Sequence, residues 1–347
     1  MRDHPDDSQR WCHRHRHLPA APVHVTAALL VLPFLLTAGL LAQADVQALR
    51  ETPSEPHQTD DPAFWVNKKH PAESLLFGTV KMAAPDGAIA VYRLDGTRLQ
   101  RVPNMDRPNN IDVAYGLRIG NRKVDVAVVT ERNKNQLRVF EIVPGAGLKD
   151  LAALPVFDQP MGVALYTRRS DKALFAIVSR KTGPSGGYLW QYRISADTAG
   201  KLTAVKVREF GNFSGAKEIE AVAIDPEREH VYYSDEGAGI RKYYANPAHP
   251  DAAKELALFG TTGWKGDREG IAIHRGYIVA TDQQRANSEF HVFARDTLKE
   301  LGLFRVGTSS TDGIDISSSG IFAAMNDSRH NFSLTEWKAI AAALKLK

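Results

Sequence analysis

Acidic residues in this chain collect in turns: Thr59-Asp60-Asp61-Pro62, Glu218-Ile219-Glu220, Ser234-Asp235-Glu236-Gly237, Gly266-Asp267-Arg268-Glu269-Gly270 and Thr311-Asp312-Gly313-Ile314-Asp315. Any one of these alone is an ordinary solvated turn, because Asp and Gly populate turns on conformational grounds. If several converge, their carboxylates repel one another and their pKa values rise, so a converging set calls for a cation. Oxygen donors drawn from several loops suit Ca²⁺, which takes six to eight oxygens in flexible geometry. Calcium is therefore the expected metal cofactor.

Basic residues stand at other strand ends: Lys81 in GTVKM, Arg107 in DRPNNID, Arg132 in VTERN, and Arg180-Lys181 in VSRKTG. Singly, each reads as a solvated surface charge. Beside a cation-loaded acidic rim they can clamp phosphate oxygens, Arg through its planar fork and Lys as a point charge. Carboxylates, bound cations and basic clamps together imply phosphate-ester chemistry.

Other chemistries lack their residues. The sole cysteine is Cys12, so a Cys-x5-Arg phosphatase loop and Cys-ligated zinc are absent from the body of the chain. The histidines after residue 45 (His57, His70, His230, His249, His274, His291 and His330) are scattered without metal-ligand spacing. No RHG motif of a histidine phosphatase and no GNH motif of a dinuclear phosphoesterase occurs.

The elements that must position these residues show a repeat. Alternating segments AIAVYRLDG, QLRVFEIVPG, YLWQYRISAD, GIRKYYANP and EFHVFARDT carry the aromatics Tyr92, Phe140, Tyr192, Tyr243 and Phe293 at successive spacings of 48, 52, 51 and 50 residues. A shorter sixth unit ends at Trp337 in NFSLTEW. About fifty residues per unit with four strand candidates each is the pattern of β-propeller blades. An all-β, six-bladed propeller is expected over 45–347, with loops of different blades meeting at shared faces. A helical pattern occurs only in the carboxyl-terminal WKAIAAALKLK.

Several separated motifs, in order, resemble the β-propeller phytase family: DDPAFWV at 60–66, RPNNID at 107–112, Lys-Val-Arg-Glu-Phe at 206–210, EIEAVAID at 218–225, DREGIAI at 267–273, TDQQ at 281–284 and GTSSTDGIDI at 307–316. The resemblance covers essentially residues 55–340. It implies a six-bladed, calcium-dependent hydrolase of inositol hexakisphosphate. The implied calcium ligands are Asp60, Asp61, Glu220, Glu236, Asp267, Glu269 and Asp315. Lys81, Arg132 and Lys181, with Arg107, would grip phosphate, and Glu220, Asp267, Glu269, Lys81 and Arg132 would carry the cleavage. It further implies metal-activated water as the attacking group and two adjoining phosphate sites. The chain departs from the family's usual residues at Met82, Met161, Thr182 and Ser310, and its Met325-Asn326-Asp327-Ser328 loop is short. A single-metal sugar-lactone hydrolase and a non-catalytic surface-binding propeller are the competing readings.

Residues 25–44 form an uncharged apolar run behind Arg10, Arg14 and Arg16, ending on Ala42-Gln43-Ala44. This reads as a signal peptide over 1–44, with cleavage after Ala44 and export to the periplasm or the medium; an uncleaved membrane anchor is the other possibility. With 44 Lys and Arg against 40 Asp and Glu, the net charge of +4 is too small for a nucleic-acid-coating protein. A small-molecule substrate (calcium phytate), no nucleic-acid or stable membrane partner and a monomeric state are expected.

Overall fold

The computed structural model describes residues 41–157 and 159–347. Six antiparallel sheets follow one another along the chain: blade 1 spans 59–105, blade 2 108–155, blade 3 160–212, blade 4 222–259, blade 5 267–305 and blade 6 314–336. Neighbouring first strands pack against one another in succession, and that of blade 6 returns to that of blade 1. The protein is a six-bladed β-propeller.

The residue patterns explain this order. Second strands such as Leu75–Val80 are buried throughout, since both faces of a blade meet neighbouring blades. Outer strands such as Arg98–Met105 mix polar and apolar residues and are partly exposed. Each repeat aromatic (Tyr92, Phe140, Tyr192, Tyr243 and Phe293) lies buried on the third strand of its blade. Six apolar clusters fill the interfaces, one between each pair of adjoining blades, including the pair formed by blades 6 and 1. Burying one such Leu, Val or Phe side chain contributes about 1.5–3 kcal/mol, so every blade depends on its two neighbours.

The ring closes through distant parts of the sequence. Arg50–Glu51 supplies the outermost strand of blade 6, in register with Leu334 and Ser333. The Thr52 N–H donates to the Phe332 carbonyl at 2.9 Å, and the Phe332 N–H donates to Thr52 Oγ1 at 3.0 Å. The helix Trp337–Ala343 buries Trp337 and Ile340 beside blades 5 and 6.

Most of the leader expected at 1–44 lies outside the described residues. Within them, Ala42–Asp45 forms a fifth strand on blade 5, parallel to Gly302–Arg305. The boundary read after Ala44 therefore falls inside a strand.

Candidate active site

A repeat-equivalent residue stands within or just before the start of each blade's first strand: Asp60, Asn109, Met161, Glu220, Glu269 and Asp312 in blades 1 to 6. A second equivalent position follows the second strand. There the N–H groups of Lys81, Arg132, Lys181, Glu236 and Asp327 donate to the carbonyls of Gln58, Arg107, Gln159, Glu218 and Ser309 at 3.0–3.2 Å. One backbone scheme thus presents basic side chains from blades 1–3 and an acidic one from blade 4. The ring is basic on one side and acidic on the other because the sequence changes at fixed structural positions.

Seven of these positions (Lys81, Arg132, Lys181, Glu220, Glu236, Glu269 and Asp312) line a pocket of about 270 Å³ together with Arg107, Glu218, Asp267 and Gln283. Six carboxylates face four basic groups. Lys81 Nζ stands 2.8 Å from Asp60 and 2.7 Å from Glu220, with Asp312 at 4.0 Å. Lys181 pairs with Glu218, and Lys217 with Asp267. Glu236 and Glu269 have no ion-pair partner among the described residues. Oxygens of Glu236, Asp267 and Glu269 nevertheless lie within 4.8 Å of one another, close enough to hold one metal ion.

The protonation equilibria reflect this crowding. Burial, then the nearby Glu220 and Glu218, pushes Glu236 up to about 7. Burial, then Glu236 and Glu220, raises Glu269 well above the carboxylate range, and burial with Asp60 does the same to Asp312. Burial also raises Asp60, against the pull of Lys81. Burial alone would lower Lys81, but Asp60, Glu220 and Asp312 outweigh it and raise the ammonium. Burial alone would raise Glu220, yet Lys81, Arg132 and the Asn109 amide hold it down. Buried acids lacking cationic partners are what a multivalent cation would neutralise, and their all-oxygen donor set fits Ca²⁺.

The basic half shows a complementary want. Arg132 is 6% exposed; its Nη2 donates to Asn109 Oδ1, while its Nε is buried without a partner. Arg107 holds the left-handed conformation at φ 59°, uncommon for a side-chain-bearing residue. Its N–H is fixed to the Met82 carbonyl at 2.7 Å.

Of the residues expected from sequence, Lys81, Arg107, Arg132, Lys181, Glu220, Glu236, Asp267 and Glu269 line this pocket, and Asp60 touches it through Lys81. Asp61 and Asp315 do not line it. They face a larger cavity of about 890 Å³, bounded by the far ends of the first strands. There Asp61 accepts the Ile111 N–H at 3.0 Å and Asp315 accepts the Phe64 N–H at 2.8 Å. Burial pushes Asp315 up to about 6. In the Thr311–Asp315 turn it is Asp312 that reaches the mouth. The expected site set lacked Gln283 and Asn109 and, although both stand in the acidic turns, Glu218 and Asp312; for Asp312 the signal was its register with Asp60 and Glu269. Met161 occupies the ring position of blade 3, fully buried.

The strand Tyr277–Gln283 braces the acidic side. Asp282, fully buried, accepts the N–H groups of Lys265 and Gly266 at 2.9 and 2.7 Å, fixing the turn before Asp267. A Cβ on Gly266 would lie 1.7 Å from the Gln283 carbonyl oxygen, so this turn admits only glycine. Asp282, Glu289 and His291 also lie near one another, but Glu289 is taken by Lys265 and Arg305 and His291 Nδ1 by Glu300, a network that braces the blade.

A family model for phytases matches residues 35–345. The chain is 29% identical over 324 residues to the 3-phytase of Bacillus subtilis strain 168, which covers 82% of this chain and 81% of that protein. Among solved structures, the computationally designed Ika8 protein aligns with a TM-score of 0.44 at 12% identity, over 79% of this chain and 70% of its own. With the family model spanning all six blades and their common mouth, the chain belongs to the phytase family of hydrolases.

Proposed function

We propose that the mouth pocket hydrolyses phosphomonoesters of inositol hexakisphosphate with calcium as the resident metal, releasing inorganic phosphate. The observation that carries this reading is the meeting of six carboxylates and four basic side chains in one pocket. Glu236, Asp267 and Glu269 would hold calcium, with Glu220, Asp60 and Asp312 as neighbouring donors. When bound, the metal supplies charge neutralisation and a water of lowered pKa.

The chain's own residues do the rest. Arg132, with its unpartnered Nε, offers donors to phosphoryl oxygens; Lys181 and Arg107 flank it as further anion grips. Charge developing on those oxygens is stabilised by groups already fixed in place. The pocket lining has no Ser, Thr, Cys or His, and in this reading its carboxylates are engaged by the metal, which leaves water as the attacking group. The P–O ester bond would break as the water oxygen bonds to phosphorus, and one proton of that water ends on the departing inositol oxygen, so that inorganic phosphate and a free inositol hydroxyl are the products. A single-metal lactone hydrolase has little need for four basic residues at its metal site, and a binding module has little need for an acid trio in which Glu236 and Glu269 lack an ion-pair partner among the described residues. Export through the 1–44 leader and a monomeric state complete the proposal.

The test is phosphate release from phytate by the purified chain, with calcium and after chelation. Release is expected only with calcium and is lost in Asp267→Ala/Glu269→Ala while the far-UV spectrum stays unchanged. Undiminished release by the double variant overturns the reading.

A further inference from the structure

The acid trio is assembled from two blades: Glu236 comes from blade 4, Asp267 and Glu269 from blade 5. Mutual repulsion would drive the two loops apart in the absence of a cation, so something must hold their spacing.

Arg268 lies between the two blade 5 ligands in sequence, yet its side chain bonds to backbone carbonyls of blade 4 and the segment after it. Its Nη1 donates to the Glu236 carbonyl at 2.8 Å, its Nε to the Gly260 carbonyl at 2.9 Å and its Nη2 to the Thr261 carbonyl at 3.0 Å. The guanidinium also lies 5.1 Å from the Trp264 ring centroid. A reciprocal bond runs the other way, for Ser234 Oγ of blade 4 donates to the Glu269 carbonyl at 2.8 Å. Each blade thus grips the carbonyl of the other's ligand residue. The Glu236 N–H is tied as well, to the Glu218 carbonyl at 3.2 Å.

We propose that Arg268, with Ser234, is a positioning residue that sets the distance between Glu236 and the Asp267–Glu269 pair so that all three share one ion. It touches neither metal nor substrate. The planar fork matters because three carbonyls are engaged from three nitrogens at once, which a lysine ammonium on a flexible stem cannot reproduce. This inference rests on the calcium reading of the same site.

The experiment is calorimetric titration of calcium into the chelator-treated full chain, following the binding step that Glu269→Gln removes. Arg268→Lys is expected to weaken that step about tenfold, equivalent to about 1.4 kcal/mol. The calcium concentration for half-maximal activity should rise in parallel, and kcat at saturating calcium should return to within about twofold. Arg208→Lys is the comparison: Arg208 makes a similar clamp on Gln191 Oε1 and the Ala252 and Tyr244 carbonyls, away from the mouth. It should lower the melting temperature and leave calcium binding unchanged.

If Arg268→Lys behaves like Arg208→Lys, losing stability with calcium binding intact, Arg268 is a structural brace only and the proposal falls. Should Arg268→Lys not fold, Ser234→Ala cuts the reciprocal bond, and unchanged calcium affinity there overturns the proposal equally. If wild type and Glu269→Gln titrate identically, the calcium reading itself has failed.

Discussion

Metal-free protein is expected to lose stability as pH rises, and Glu236→Gln isolates one cause. Glu236 is displaced from 4.5 to about 7 by burial, then by Glu220 and Glu218. A group whose pKa is higher folded than unfolded holds its proton more tightly when folded, so its stabilisation is complete below about 4.5 and lost as pH climbs through about 7. The displacement corresponds to about 3 kcal/mol across that window. Gln at this position has the shape of the protonated acid and no titration. The stability of Glu236→Gln minus wild type, from urea unfolding in the presence of chelator, should therefore grow by about 3 kcal/mol between pH 4 and pH 8. Calcium should reverse the order at pH 8, because the ionised trio gains a counter-ion that Gln cannot hold. Taking the difference cancels the raised acids that Glu236 does not influence, among them Asp112 at about 7 and Asp315 at about 6, while the relief of Glu269 in the variant adds to the difference in the same direction. A difference that stays flat with pH would refute the reasoning, since it would mean that Glu236 is not destabilised by its neighbours.

On the basic side, Arg132→Lys keeps the charge but loses the fork, and steady-state kinetics should show kcat/KM on phytate reduced by about 10²-fold. Gly78→Ala would place a Cβ 2.1 Å from the Phe332 ring, where blade 1 meets blade 6, and should cost about 1–3 kcal/mol in chemical denaturation with the calcium requirement unchanged. Millimolar calcium should raise the wild-type melting temperature by mass action, and this gain should disappear in Asp267→Ala/Glu269→Ala.

How much of this was legible in the sequence depends on what kind of partner each residue has. The propeller was legible because Tyr92, Phe140, Tyr192, Tyr243 and Phe293 mark the same buried place on five third strands, and burial constrains residue type wherever it recurs. Eight of the expected site residues reached the pocket for a similar reason, since strand ends at fixed points of a repeat open on the same face. Asp312 and Asp315 needed a finer register. Asp312 stands before the strand Ile314–Ile316 and lines the mouth, whereas Asp315 within it lines the larger cavity, and only superposing the six first strands matches Asp312 to Asp60, Glu220 and Glu269.

Arg268 lay beyond sequence reasoning for another reason. Its partners are the carbonyls of Glu236, Gly260 and Thr261, and a carbonyl has the same chemistry whatever residue bears it. Read along the chain, an arginine between two acids looks like local charge compensation. In the fold it points away from both and grips the neighbouring blade. The same distinction orders the whole mouth: charge recurs at repeat positions and can be found by alignment, whereas the spacing between charges is set by side chain to backbone bonds across blades. A variant that preserves every carboxylate can therefore still lose the metal if the cross-blade bonds at Arg268 and Ser234 are cut.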